Sequence, residues 1–147
     1  MKIHIINGPN LNLLGKREPD KYGFTSFEVF LKTLRSLYPD IQFEYFQSNI
    51  EGEIIDEIQK ADIASDGIIL NPAGYTHTSI SIADAVAAVK VPVAEVHITN
   101  ISAREEFRHV SLTGKYCSGS VIGFGLDGYR LATEAIIGII ERDKKIL

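Results

Sequence analysis

Residues 67–97 read GIILNPAGYTHTSISIADAVAAVKVPVAEVH, and their pattern decides the fold. Residues 67–70 form a short apolar run of the kind buried on both sides in a parallel sheet. A polar loop follows from Asn71 to Ser79, and residues 80–89 then read as a helix rich in small and branched apolar side chains. A second apolar run, 91–96, completes the unit. A strand, a helix and a strand joined by connections this short form a right-handed crossover between parallel strands.

The same alternation extends in both directions. Residues 3–6, 41–46 and 121–124 read as further strands. Thr25-Ser26-Phe27-Glu28 is a capping box, in which the Thr25 hydroxyl accepts from the Glu28 amide. Behind it Phe27, Phe30, Leu31, Leu34 and Tyr38 recur at helical spacing until Pro39 stops the helix. Ser48 and Glu51 repeat the capping signal before Ile54, Ile55, Ile58 and Ala61. The expected fold is therefore α/β: a single domain over residues 1–147, with a flavodoxin-like, doubly wound, five-stranded parallel sheet and helices on both faces. A last helix, about 129–145, carries Leu131, Ala132, Ala135, Ile136, Ile137, Ile139 and Ile140 and keeps little polar face. Such a helix is either central to the core or buried at a subunit contact.

Composition narrows the function. A net charge of −4 on a chain that is 45% hydrophobic gives no basic footprint for nucleic acid or an acidic membrane. A small anionic ligand would need positive charge gathered locally. The single cysteine, Cys117, excludes an internal disulfide and cysteine-rich zinc sites, and fits a reduced, cytoplasmic setting. The apolar run at 3–6 is too short for a signal peptide, and no window approaches a bilayer span.

Ligands of open parallel sheets bind beyond the carboxyl ends of the strands. The first strand runs into Asn7-Gly8-Pro9-Asn10, the third into Asn71-Pro72-Ala73-Gly74-Tyr75-Thr76-His77, and the fourth ends in Glu95-Val96-His97-Ile98-Thr99-Asn100. These polar ends converge on one edge. The charged segment 15–23, long for a βα connection and flanked by glycines, reads as a mobile lid. It carries Tyr22 beside Arg17, and a guanidinium near a phenol favours the phenolate.

Three blocks in this order resemble the type II dehydroquinases. They are Asn7 through Gly15 with Arg17 and Tyr22-Gly23, then Asn71 through Ser79, then Glu95 through Asn100 followed by Arg104-Glu105-Glu106-Phe107-Arg108-His109. The resemblance spans nearly the whole chain. It implies a lyase that converts 3-dehydroquinate to 3-dehydroshikimate through an enolate, by anti elimination of water, in the shikimate pathway, without metal or cofactor. It implies Tyr22 as the base held ionised by Arg17, Asn10 as the enolate stabiliser through an ordered water, and His97 as the general acid. Glu95, two residues earlier on the same strand face, would orient the imidazole. The Ile98 and Thr99 amides, with the Thr99 hydroxyl, would take the substrate carboxylate, and Asn71, His77 and Arg108 the ring hydroxyls. Asp84 matches an acid supplied by a neighbouring subunit in a homo-oligomer, a dodecamer of trimers.

Some positions depart from that pattern. Thr99 stands where serine is usual, Val110 where a second histidine is usual, and Lys115-Tyr116-Cys117 is atypical before the last strand. His4 reads as a structural histidine, His109 as either structural or functional, and Cys117 as inert. Two other functional classes would need residues of a different kind at the strand ends. A flavin-binding or phosphoryl-accepting module would want a Ser/Thr/Gly phosphate loop or clustered acids at the strand ends, where this chain has Pro9, Leu11, asparagine and histidine. A metal hydrolase would have to use His77 and His97 with Glu95 or Asp84.

Overall fold

The computed structural model describes residues 1–146. The chain runs β1 (Lys2–Asn7), α1 (Pro19–Tyr22), α2 (Phe27–Leu37), β2 (Gln42–Gln47), α3 (Glu51–Ala64), β3 (Gly67–Asn71), α4 (Ile80–Ala88), β4 (Val93–His97), β5 (Gly119–Ile122) and α5 (Asp127–Ile146). All five strands are parallel, in the order β2-β1-β3-β4-β5. The chain direction across the sheet reverses between β1 and β3, the crevice where flavodoxin-like sheets bind ligands.

Alternation along the strands feeds two cores. Ile3, Ile5 and Ile69 face Phe27, Leu31 and Leu34 of α2 and Tyr129, Ala132 and Ile136 of α5. Ile6, Ile68 and Leu70 face Ile54, Ile58 and Ala61 of α3 and Ile82, Ala85 and Val86 of α4. The six strand side chains are fully buried, and each contributes about 1.5–3 kcal/mol relative to exposure. β1 and β3 are thus apolar runs because helices cover both of their faces.

The structure corrects several local expectations. The cap of α2 is Ser26, whose Oγ accepts from the Val29 amide at 3.3 Å, and Thr25 lies one residue outside. At α3 the residue before the helix is Ile50, which has no side-chain cap. Ser48 instead accepts from the Ile50 amide at 2.9 Å and donates to Glu53. Glu51 is drawn across to the hydroxyl of Ser79, the residue that caps α4 through the Ile82 amide at 2.9 Å. β4 starts at Val93 because Pro92 has no N–H to donate to a ladder. β5 lies two residues earlier than the apolar pattern suggests, and Phe124 is exposed. α5 buries one face only, through Gly128, Tyr129, Ala132, Thr133 and Ile136. Leu131, Ile137, Ile139 and Ile140 are half-buried and Ala135 is exposed, so within the subunit the helix covers the sheet and is not surrounded by it.

Candidate active site

The carboxyl ends of β1 and β3 are locked side by side. The Gly8 amide donates to the Asn71 carbonyl at 2.8 Å, and a Cβ at position 8 would sit 2.5 Å from the Pro72 carbonyl oxygen. Only glycine permits that approach. Beneath these loops the Tyr129 hydroxyl, fully buried on α5, donates to Asn7 Oδ1 at 2.8 Å and accepts from Asn71 Nδ2 at 3.0 Å. Burial pushes this phenol well above its ordinary range, so it remains a neutral donor. The other end of the Asn71 amide accepts from the Ala73 N–H at 3.1 Å. Asn10 (φ 68°) and Ala73 (φ 54°) are both left-handed, a costly conformation for residues other than glycine that clusters at functional loops. Both line the cleft formed here.

Glu95 and His97 project from the same face of β4. Glu95 is fully buried and His97 nearly so. The imidazole Nε2 lies 3.2 Å from Glu95 Oε2, close enough for an ion pair, although it is off the line of a sound hydrogen bond. Burial pushes the Glu95 carboxyl up, but contacts from His97, Thr113 and Ser111 outweigh it and hold the group below its ordinary value. The ring of His77 stands 6.4 Å from that of His97 at an interplanar angle of 24°. Its Nδ1 is 2.8 Å from the Val110 carbonyl, which only accepts, so the proton is on Nδ1.

Across the cleft the segment 15–23 contains α1, none of whose residues is fully buried. Tyr22 packs against the core edge. Its hydroxyl accepts from Arg104 Nη1 at 3.1 Å, and the same nitrogen reaches Thr99 Oγ1 at 3.2 Å. The guanidinium lies 5.9 Å from the phenol ring centre. The expected partner of Tyr22, Arg17, lines the same cleft, but its Nε is turned to Glu18 at 3.5 Å. The cation on the phenol is therefore Arg104. Arg108 also lines the cleft and is held by Glu105, with Nε to Oε2 at 2.9 Å. Three arginines thus gather positive charge at one spot on an acidic chain, a suitable setting for an anionic ligand.

Asn10, Arg17, Tyr22, Asn71, His77, His97, Ile98, Thr99 and Arg108 come together around this one cleft. Glu95 stands behind His97. Asp84 does not join them: it is exposed on α4 and borders a separate hollow with Ser111, Lys115 and Tyr116. Reasoning from sequence missed Arg104, Tyr129 and the hydroxyls around Glu95. Arg104 stood inside a quoted motif, but nothing along the chain signals that it meets a residue 82 positions away. Among the described residues no three His, Cys, Asp or Glu are arranged to hold a metal ion, and no helix is long and apolar enough to cross a membrane.

Fold and site together define an α/β protein with a polar, arginine-rich cleft at the switch point of a flavodoxin-like sheet. Comparison with known proteins gives the family. The family profile described as dehydroquinase class II matches residues 1–137. A 3-dehydroquinate dehydratase of Campylobacter jejuni is 49% identical over 99% of this chain and 93% of its own length. The corresponding protein of a Sulfurovum species is 50% identical over 95% of this chain and 88% of its own. The crystal structure of a type II dehydroquinase from Butyrivibrio crossotus superposes with a TM-score of 0.89 at 46% identity, covering 92% of this chain and 97% of that one. This chain belongs to the class II dehydroquinase family.

Proposed function

We propose that the chain is a type II 3-dehydroquinate dehydratase, forming 3-dehydroshikimate and water by anti elimination, without a metal or cofactor. One observation carries the reading. A single cleft presents a phenol met by a guanidinium on one wall and an imidazole backed by a buried carboxylate on the other. That is a base and an acid with different environments, the pairing an elimination needs.

Tyr22 takes the proton alpha to the ketone, with a guanidinium cation on its oxygen. Arg104 supplies that cation in the present geometry, with Arg17 at the same rim. The electron pair left on carbon becomes an enolate, which Asn10 stabilises through a bound water. Collapse of the enolate expels the hydroxyl on the carbon beyond, and His97 protonates it so that it leaves as water. Glu95 holds the imidazole in place throughout. The Ile98 and Thr99 amides with the Thr99 hydroxyl take the substrate carboxylate, and Asn71, His77 and Arg108 take the ring hydroxyls. Asp84, outside its own subunit's cleft, completes a neighbour's site in a homo-oligomer, a dodecamer built from trimers.

The test is a spectrophotometric assay with 3-dehydroquinate after dialysis against a chelator, following the conjugated enone carboxylate in the ultraviolet. Wild type turns over. Tyr22→Phe keeps the ring's packing and its circular dichroism but loses about two to four orders of magnitude in kcat. Near-wild-type turnover in that variant removes Tyr22 from the mechanism.

A further inference from the structure

The most enclosed charge in the molecule is Glu95, and three hydroxyls surround it. Thr113 Oγ1 donates to Oε1. Ser111 Oγ lies 2.8 Å from Oε1 and 3.1 Å from Oε2, and Ser120 Oγ donates to Oε2 at 3.2 Å. Ser111 also accepts from the Gly114 amide at 2.8 Å, which leaves its one proton for the carboxylate. The loop closes so tightly that a Cβ at Gly114 would stand 2.7 Å from Glu95 Oε2 and 2.9 Å from Ser111 Oγ. Thr113 is itself fully buried, so water cannot replace its hydroxyl.

An arrangement of donors around two carboxylate oxygens discriminates between charge states. An ionised Glu95 accepts from all of them. A protonated one would bring a further donor into a pocket already supplied with donors, and would leave one of them unpaired. The remaining oxygen surface is turned to His97 Nε2. Other titratable or charged groups facing the pair are His77, beside the His97 ring, Arg104, Arg108 and Tyr22 across the cleft, and Cys117, whose thiol is pushed up to about 12 by burial and by the charge of Glu95. None of these competes for the carboxylate oxygens.

We propose that Thr113, assisted by Ser111 and Ser120, is a positioning residue of the reaction: its hydroxyl keeps Glu95 an aimed carboxylate, so that the proton to be delivered stays on His97. The inference rests on the reading of His97 as general acid. Removing the Thr113 hydroxyl weakens the carboxylate's hold on its charge, and the shared proton shifts from the imidazole toward Glu95. The defect therefore appears in proton delivery more than in substrate binding.

Thr113→Val is nearly isosteric and removes the hydroxyl alone. Expected are a fall in kcat of about tenfold to a hundredfold, a KM within about threefold of wild type, and an alkaline limb of the kcat–pH profile moved about one unit to higher pH, because a carboxylate that has lost a donor holds the pair's shared proton more tightly. Thr113→Ser restores both kcat and profile. In the free protein, NMR titration of ring-labelled histidine follows His97 directly and gives the same shift without any assay of turnover. If Thr113→Val does not fold, Ser120→Ala, which removes a more accessible donor to Oε2, gives a smaller shift in the same direction. An unmoved profile and His97 titration in the folded variants overturn the inference, as does a loss that Thr113→Ser fails to rescue. Failure of the underlying reading looks different, because wild type then shows no dehydratase activity or His97→Ala retains it.

Discussion

Tyr129→Phe isolates the buried hydroxyl that ties the first and third strand ends together. The ring itself is well held, packing edge-on against Phe27 at 4.9 Å and against Phe30 at 5.9 Å, and phenylalanine keeps those contacts. What is lost is the bond to Asn7 Oδ1 and the bond from Asn71 Nδ2. Asn7 is 0% and Asn71 3% exposed, so neither amide regains a partner from solvent. Each orphaned buried group costs about 1–2 kcal/mol, giving about 2–4 kcal/mol in all. For a domain of this size that corresponds to a fall in Tm of about 5–15 °C. Urea unfolding at one fixed protein concentration should show a lower midpoint with an unchanged slope. The Asn71 amide keeps only its Ala73 anchor and faces the cleft less rigidly, so KM for 3-dehydroquinate should rise more than kcat falls. A loss of stability under about 0.5 kcal/mol would refute the reasoning, because it would mean that the two asparagines are satisfied some other way.

Two further outcomes follow from the same geometry. Arg104→Lys keeps a charge but cannot hold the phenol oxygen and Thr99 with one planar fork; kcat should drop about tenfold or more, and an unchanged kcat would make the Arg104–Tyr22 contact incidental. His4, buried on β1 near Glu57, is pushed below its ordinary value of 6.5, chiefly by burial, with Lys60 and Lys2 adding to the shift and Glu57 and Glu44 opposing it. The unfolded chain therefore takes up this proton first as pH falls, and the stability His4 contributes is present above 6.5 and lost on the way down through its folded value. The thermal midpoint should fall between about pH 7.5 and 5.5, and His4→Leu should flatten that dependence; an equal fall in both proteins would place the titrating group elsewhere.

The fold was legible in the sequence where burial on both faces leaves no freedom. The run Gly67-Ile68-Ile69-Leu70 is apolar because α3 and α4 cover one side of it and α2 and α5 the other. Strand ends were readable for a related reason: Asn7, Asn71 and His97 mark where the ladder stops and polar chemistry begins. Legibility failed where a long-range contact overrode a local pattern. Glu51 fitted a capping box with Ser48, but Ser79 on the next helix claims its carboxylate. Thr25 and Ser26 offer the same capping chemistry, and the helix starts so that Ser26 takes the Val29 amide. Arg17 is five residues from Tyr22 in sequence and therefore drew attention, whereas Arg104 arrives on the phenol from the loop after β4. The hydroxyls at 111, 113 and 120 look like ordinary loop serine and threonine until Glu95 is seen between them.

The backbone contact between Gly8 and Pro72 makes the first and third connections inseparable as design units. Neither loop can be exchanged for a homologous or engineered one without regard to the other, because the space at residue 8 is set by a carbonyl on the second loop. A graft of residues 71–79 that moves that carbonyl would displace Asn10 as well as His77. Altering the ligand preference of this scaffold therefore requires the two segments to be diversified jointly, with the glycine retained as the hinge pin between them.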